Sequence, residues 1–167
     1  MRKFSKGLTT VLCVMVIILA LTGCASSMSM TFNPQTGDTV NVTLDTSEGF
    51  TLSEADDLMQ SEDDYCGFYV KEDDDTILLG IFIDEEEFDD YKDIYDNMNM
   101  SEIIEEDSAN GITWIFYSTD GVVETGRVIN ILVWIDGSDT GILIGASILR
   151  DYDTAKKALD SLTFSVE

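Results

Sequence analysis

Three long apolar runs in the C-terminal half of the chain constrain its fold most strongly. They are ITWIFYS, RVINILVWI and GILIGASIL, at residues 112–118, 127–135 and 141–149. The segments that connect them are rich in Asp and Gly, which favour turns. Runs rich in β-branched and aromatic residues and separated by turn residues are typical of strands. The pattern therefore predicts an antiparallel meander.

The alternation within these runs also predicts how the strands are aligned. If residues that lie opposite each other have numbers that sum to an odd value, one face of the meander is wholly apolar. Such a face must be buried, and a one-residue slip would destroy the match. Its expected members are Ile112, Trp114, Phe116, Ile129, Ile131, Val133, Ile135, Ile142, Ile144, Ala146 and Ile148.

The other face of the meander is mixed, and it leaves two alternatives open. A helix over residues 88–98 covers it in the first, which we favour because half-polar sheet faces are commonly covered in such folds. In the second, a shallow groove around a large aromatic side chain stays open to a ligand or partner. The groove would be lined by Trp134, Tyr117, Asn130, Gly145 and Ser147.

Shorter elements are expected along the rest of the chain. Strands are predicted at residues 40–44, 65–71 and 76–83, and a short helix is predicted from Ser53. Asp84 and Glu87 have the spacing of a capping box ahead of a longer helix. A final helix at DTAKKALDSL precedes a short edge strand, TFSV. Because no strand–helix–strand repeat occurs, we predict an α+β fold, a mainly antiparallel sheet with helices packed on it.

The order of these elements over residues 40–166 resembles the PsbP-like α/β sandwich. The shared features are short strands, one long helix in mid-chain, a meander, and a final helix that leads into a short strand. This fold recurs in small bacterial lipoproteins. The resemblance implies a binding or assembly factor, since members of that group commonly act in this way.

The first 23 residues have the pattern of a secretory signal peptide. Three cations, Arg2, Lys3 and Lys6, precede the uncharged run LTTVLCVMVIILAL. That run has about 14 residues, whereas a helix needs roughly 20 to span a bilayer. A short apolar core behind a positive tip is typical of a cleaved signal rather than a permanent anchor.

The run ends in LTGC, Leu21 to Cys24, which resembles the lipobox of bacterial lipoproteins. The resemblance implies that residues 1–23 are removed and that Cys24 carries a diacylglyceryl group as the mature N-terminus. Two acyl chains give a stable anchor, whereas one gives marginal binding. We therefore expect a lipid-anchored protein on the extracytoplasmic face of a bacterial cell membrane. A structural cysteine at an ordinary secretory site is the alternative.

This pattern divides the chain into three segments. Residues 1–23 are the signal peptide, and residues 24–38 are expected to be a lipidated, flexible tether because they hold the single proline and several small polar residues. Within the tether a short strand at Met30–Phe32 is an open alternative. Residues 39–167 are expected to form a single globular domain.

Composition excludes several functions. Loss of residues 1–23 leaves 6 cations against 33 acids, a net charge of −27. Such a body is repelled by nucleic acid and by anionic head groups, so we expect no nucleic-acid partner. The chain has no histidine, which excludes Ser-His and Cys-His nucleophile pairs. Cys66 is expected to be a small core residue. No phosphate-binding loop occurs, and no cofactor is expected.

The remaining candidates for chemistry are the acidic clusters at residues 62–64, 72–75, 84–90 and 136–139. None has the spacing of a calcium-binding EF-hand, so we expect solvated surface with weak screening by divalent cations and no metal site. Paired carboxylates would be needed for a cell-envelope hydrolase, the alternative function. We predict instead a non-catalytic, membrane-tethered module that binds a protein, peptide or envelope component.

Overall fold

The computed structural model describes residues 26–55, 66–99, 101–109, 111–120, 127–146 and 152–167. Within them the chain forms ten strands, two α-helices and one 3₁₀ turn at Thr46–Glu48. None of the helices among these residues has both the length and the apolar composition to cross a membrane. The strands are β1 (Ser27–Phe32), β2 (Val40–Asp45), β3 (Phe50–Glu54), β4 (Gly67–Glu72), β5 (Asp75–Ile83), β6 (Ser101–Ala109), β7 (Ile112–Asp120), β8 (Arg127–Ile135), β9 (Gly141–Ala146) and β10 (Leu162–Val166), and the helices are α1 (Glu85–Asn97) and α2 (Tyr152–Asp160).

The strands form two sheets in which every pair is antiparallel. Seven strands make the large sheet, in the order β3-β4-β5-β9-β8-β7-β6. Three strands make the small sheet, in the order β1-β2-β10. The expected α+β class, a mainly antiparallel sheet with helices packed on it, is confirmed. The second sheet was not expected, because β1 and β10 lie at opposite ends of the sequence.

The register of the meander is as predicted. Phe116 lies opposite Ile131, which lies opposite Ile144 on the next strand. Every described member of the predicted apolar face is buried, while Ile148 lies outside the described residues. The small sheet and α2 cover this face, and their apolar side chains join it in one core cluster. Burial of a continuous apolar face is what fixes the register.

Helix α1 covers the opposite face, as expected. The carboxylate of Asp84 accepts a hydrogen bond from the Glu87 N–H at 2.9 Å, and the carboxylate of Glu87 accepts one from the Asp84 N–H at 3.2 Å. This reciprocal capping box satisfies two backbone donors at the start of the helix. Phe88, Tyr91 and Tyr95 then pack on the sheet. Ile94 and Met98, which helical spacing places near these residues, are instead exposed.

The strand left open as an alternative at Met30–Phe32 is confirmed, and it is longer than expected, because Ser27–Phe32 forms β1 rather than flexible coil. This strand pairs with β2 along its whole length. Phe32 is 1% exposed, and its ring centroid lies 5.2 Å from that of Phe82. Burial of an aromatic ring offsets the entropy lost on ordering the segment. The described fold therefore begins at Ser26, before the expected boundary at residue 39.

Two smaller expectations have different outcomes. The helix predicted from Ser53 is wrong at its start, because Ser53 and Glu54 pair with Tyr69 and Phe68 in the large sheet. The remaining residues of that prediction lie outside the described part. Cys66 is buried, as predicted for a core residue.

Replacing Phe32 with Ala tests whether β1 belongs to the core. We expect a loss of about 3–5 kcal/mol in the free energy of unfolding, as for other buried aromatic residues. Chemical denaturation of the variant and the natural protein measures it. Gln35→Ala, at an exposed position of the following turn, is the control and should change stability by less than about 0.5 kcal/mol. Equal stability of the two variants would mean that residues 27–32 are a tether after all.

Candidate functional site

Helix α1 covers two of the five residues of the predicted groove. Phe88 meets Trp134 edge to face, with ring centroids 5.2 Å apart. Tyr117 is fully buried beneath Tyr95, whose ring centroid lies 4.9 Å away. Aromatic pairs at these separations add to the stabilisation from burial alone. The groove expectation is therefore corrected for Trp134 and Tyr117, which lie under the helix.

Asn130 and Gly145 lie beyond the covered area. They are opposite each other on β8 and β9 and are half-buried. The Asn130 amide donates to the Thr119 hydroxyl oxygen at 3.2 Å. A methyl group added to Gly145 would meet no described atom within 4 Å. The space above Gly145 is therefore open among the described residues. Ser147, the fifth groove residue, lies outside the described residues.

A hydrogen-bonded group fastens the C-terminal end of α1 to the sheet. The buried Tyr117 hydroxyl donates to the Asp96 carboxylate at 2.9 Å. Burial, followed by this hydrogen bond to a carboxylate, raises the pKa of Tyr117. The hydrogen bond from Lys92, followed by that from Tyr117, lowers the pKa of Asp96. The interaction favours the ionised carboxylate, whereas general-acid catalysis needs a carboxyl group whose pKa is raised.

A pocket that the sequence pattern did not indicate lies on the other side of the large sheet. It has a volume of about 200 Å³ and opens between the β6–β7 edge and the α2–β10 segment. Apolar side chains form most of its wall, with Asp160 and Thr163 as the polar members. Its lining consists of Ala109, Ile112, Trp114, Leu159, Asp160, Leu162, Thr163 and Phe164.

Trp114 gives this pocket its one unsatisfied polar atom. The side chain is 7% exposed, and its indole nitrogen is buried without a hydrogen-bond partner among the described residues. A buried donor without an acceptor costs about 1–3 kcal/mol, so such groups are uncommon in native proteins. Trp114 was expected in the core, which is confirmed. The sequence held one signal of this pocket that we did not use. An indole N–H on an otherwise apolar face has no acceptor beside it.

Charged residues of α2 lie beside the Trp114 pocket. The Lys156 ammonium lies 5.5 Å from the centroid of the Trp114 ring and is hydrogen-bonded to Asp160. A neighbouring polar cleft of about 360 Å³ shares Asp160 with the pocket and is also lined by Lys156, Asp45, Glu48 and Lys157. At the first turn of α2, the Tyr152 hydroxyl donates to the Glu105 carboxylate of β6. The arrangement offers apolar walls, one free donor and a rim of paired charges, a set suited to binding.

A third feature is a group of exposed apolar side chains at the C-terminal end of α1 and on β6, which we call the β6 patch. Its members are the large apolar side chains that are exposed in the described part, and they are 40–51% exposed: Ile94, Met98, Ile103 and Ile104. Strand β6 is an edge of the large sheet, and the alignment with β7 shifts between Ile103 and Glu105. Exposed edge strands are templates for pairing with another chain.

The acidic clusters form no metal centre in the part of the chain that the structure describes. No group of three or more potential ligand side chains converges there. Asp84 caps α1, and Asp38 binds the Thr140 hydroxyl at 2.8 Å. The cluster at residues 62–64 lies outside the described residues.

Comparison with protein-family models, curated proteins and solved structures finds no significant match to this chain.

The Tyr152–Glu105 contact predicts how stability changes at high pH. Burial, followed by the hydrogen bond to Glu105, raises the pKa of Tyr152 to about 12. Because the unfolded phenol ionises near pH 10, the stabilisation is complete below pH 10 and is lost between about pH 10 and 12. Denaturation from pH 9 to 12 should show a smaller loss for Tyr152→Phe than for the natural protein. Parallel losses would contradict this assignment.

Proposed function

We propose that this protein is a membrane-tethered extracytoplasmic lipoprotein that acts as a non-catalytic binding or assembly module. Cys24 of the LTGC sequence attaches it to the bacterial cell membrane. The order of elements also supports a PsbP-like sandwich, whose members commonly act as binding or assembly factors. The observation that carries the binding role is the β6 patch.

The start of the fold supports a short connection to the membrane. The Thr46 N–H donates to the Ser26 carbonyl oxygen at 2.5 Å, and Ser27 lies opposite Asp45. Since one residue extends at most about 3.6 Å, Ser26 lies within about 7 Å of Cys24 along the chain. The end of the small sheet that holds Ser27 and Asp45 then faces the lipid head groups.

The β6 edge supports a cationic partner. Glu102, Glu106 and Asp107 stand on the same strand as Ile103 and Ile104 and are exposed. An edge strand with exposed apolar and acidic side chains is complementary to an extended segment that carries apolar and basic ones. The proposed partner is therefore a protein that adds such a segment to β6. Electrostatic attraction to a body of charge −27 would increase its rate of association.

Replacing Cys24 with Ala tests the tether. Cells expressing the natural chain should incorporate a fatty-acid probe into this protein, while the variant should not. The variant should also accumulate as unprocessed precursor, because the modified cysteine is the expected cleavage site. Probe labelling followed by membrane fractionation measures both effects. Labelling and fractionation identical to the natural protein would show that Cys24 is not the lipid site.

Replacing Ile103 with Lys tests the partner surface. The change removes an exposed apolar side chain and adds a charge that repels a cationic segment, so capture from intact cells by the tethered protein should fall at least about tenfold. Stability should change by no more than about 0.5 kcal/mol, because the site is exposed.

Thr51→Lys adds the same charge at an exposed position of β3, the opposite edge of the large sheet. This control variant should capture as much partner protein as the natural chain does. Raising the salt concentration should weaken capture by both. An equal loss of partner capture with both variants, or capture that does not change with salt concentration, would contradict a cationic partner at β6.

A further inference from the structure

We propose that the Trp114 pocket binds a small neutral carbonyl compound, an amide or ester whose aliphatic group is about the size of a leucine side chain. The Trp114 indole N–H donates a hydrogen bond to its carbonyl oxygen. This site lies on the opposite face of the large sheet from α1. It goes beyond the proposed function, which rests on the β6 patch and on Cys24.

The unpaired donor sets the first requirement on the ligand. The indole nitrogen of Trp114 is buried and has no acceptor among the described residues, and the side chain lines the pocket. Its neighbours in the lining are mostly aliphatic or aromatic, and neither of the two polar members, Asp160 and Thr163, accepts a hydrogen bond from it. A compound with a carbonyl oxygen supplies the missing acceptor. A pure hydrocarbon would fill the volume but leave the donor unpaired.

The volume and the walls set the second requirement. An apolar cavity of about 150 Å³ accommodates a molecule of the size of benzene. At about 200 Å³, this pocket has room for a branched aliphatic group with an adjoining carbonyl. Ile112, Leu159, Leu162 and Phe164 provide the apolar contact surface. Pockets with predominantly apolar walls and a few placed polar groups are typical of small-molecule sites.

The charges at the mouth set the third requirement. Asp160 lines the pocket, and Asp45, Glu48 and Asp153 line the adjoining cleft. The two cations there are already engaged, since Lys156 pairs with Asp160 and Lys157 pairs with Glu48. An anionic ligand would meet net repulsion from this rim and from the whole domain. Burying a cation against the apolar walls would also cost free energy, so the ligand is neutral.

Fluorescence of Trp114 tests the inference directly. The chain has two tryptophans, so Trp134→Phe leaves Trp114 as the sole indole. The full chain carrying this change is purified from membranes and reconstituted in phospholipid vesicles, with protein-free vesicles correcting for partition of the probe. N-acetyl-leucine amide and methyl 4-methylpentanoate serve as the amide and ester probes. At least one should give a saturable change in emission, and which one binds distinguishes peptide-like from lipid-like ligands.

Two comparisons identify the interactions responsible. N-acetyl-leucine, which is anionic at neutral pH, should bind at least tenfold more weakly than its amide. By calorimetry, Trp114→Phe should weaken binding of the better probe about 3- to 10-fold, because the ring is kept and the donor is lost. Ala109→Phe, at the exposed end of β6, places a ring at the pocket and should abolish binding without touching the core.

Failure of both probes to bind, or affinity unchanged in Trp114→Phe and Ala109→Phe, would overturn the inference. Partner capture depends on Ile103 and tethering on Cys24, so those experiments keep their outcome whatever the titration shows. Thermal melts of each variant separate loss of binding from loss of fold.

Discussion

The structure depends on the fact that the central meander carries apolar side chains on both faces. Trp114, Val133 and Ile142 lie side by side on one face, whereas Ile115, Leu132 and Leu143 do so on the other. Neither face can be left to water without a large loss of hydrophobic stabilisation. The sheet therefore needs a covering layer on each face, and the two layers consist of different secondary-structure elements. A three-stranded sheet and α2 cover one side, and α1 covers the other.

The two covering layers do not pack equally tightly on the large sheet, and the candidate sites lie where the packing is incomplete. Over the second face, α1 brings Phe88 onto Trp134 and Tyr95 onto Tyr117, so both aromatic residues of the expected groove are closed off. The first cover leaves a gap where β10 and α2 meet the β6–β7 edge, and Trp114 lies in that gap. The end of α1 reaches β6 but leaves Ile94 and Met98 exposed. Packing is tight at the centre of the sheet and incomplete at its β6 margin.

Local patterns predicted what local interactions determine. The alternation of residues 112–149 predicted the register, since the side-chain period of a strand is two and only one alignment buries the whole apolar face. Asp84 and Glu87 predicted the start of α1, because both halves of a capping box lie within four residues. The burial of Ala155, Ala158 and Leu159 likewise follows from helical spacing.

Non-local pairing could not be predicted in the same way. Val42 lies between Met30 and Phe164, which are more than a hundred residues apart, and no turn signal links β1 to β10. Residues 24–38 contain few apolar side chains, so their polarity suggested a tether although Phe32 is in the core. The Trp114 pocket depends on where two elements fail to meet, and periodicity carries no information on that. Only the shortage of acceptors around an indole hinted at it.

The alignment of β7, β8 and β9 is the central claim, because both covers and both tryptophan environments follow from it. Nuclear Overhauser contacts between backbone protons test it most directly, since opposite residues in antiparallel strands lie about 4.5–5.5 Å apart at Cα. The structure predicts cross-strand contacts between Phe116 and Ile131 and between Ile131 and Ile144. Contacts that instead place Phe116 opposite Asn130 or Leu132 would contradict it, because that slip would bring residues of the mixed face onto the wholly apolar one.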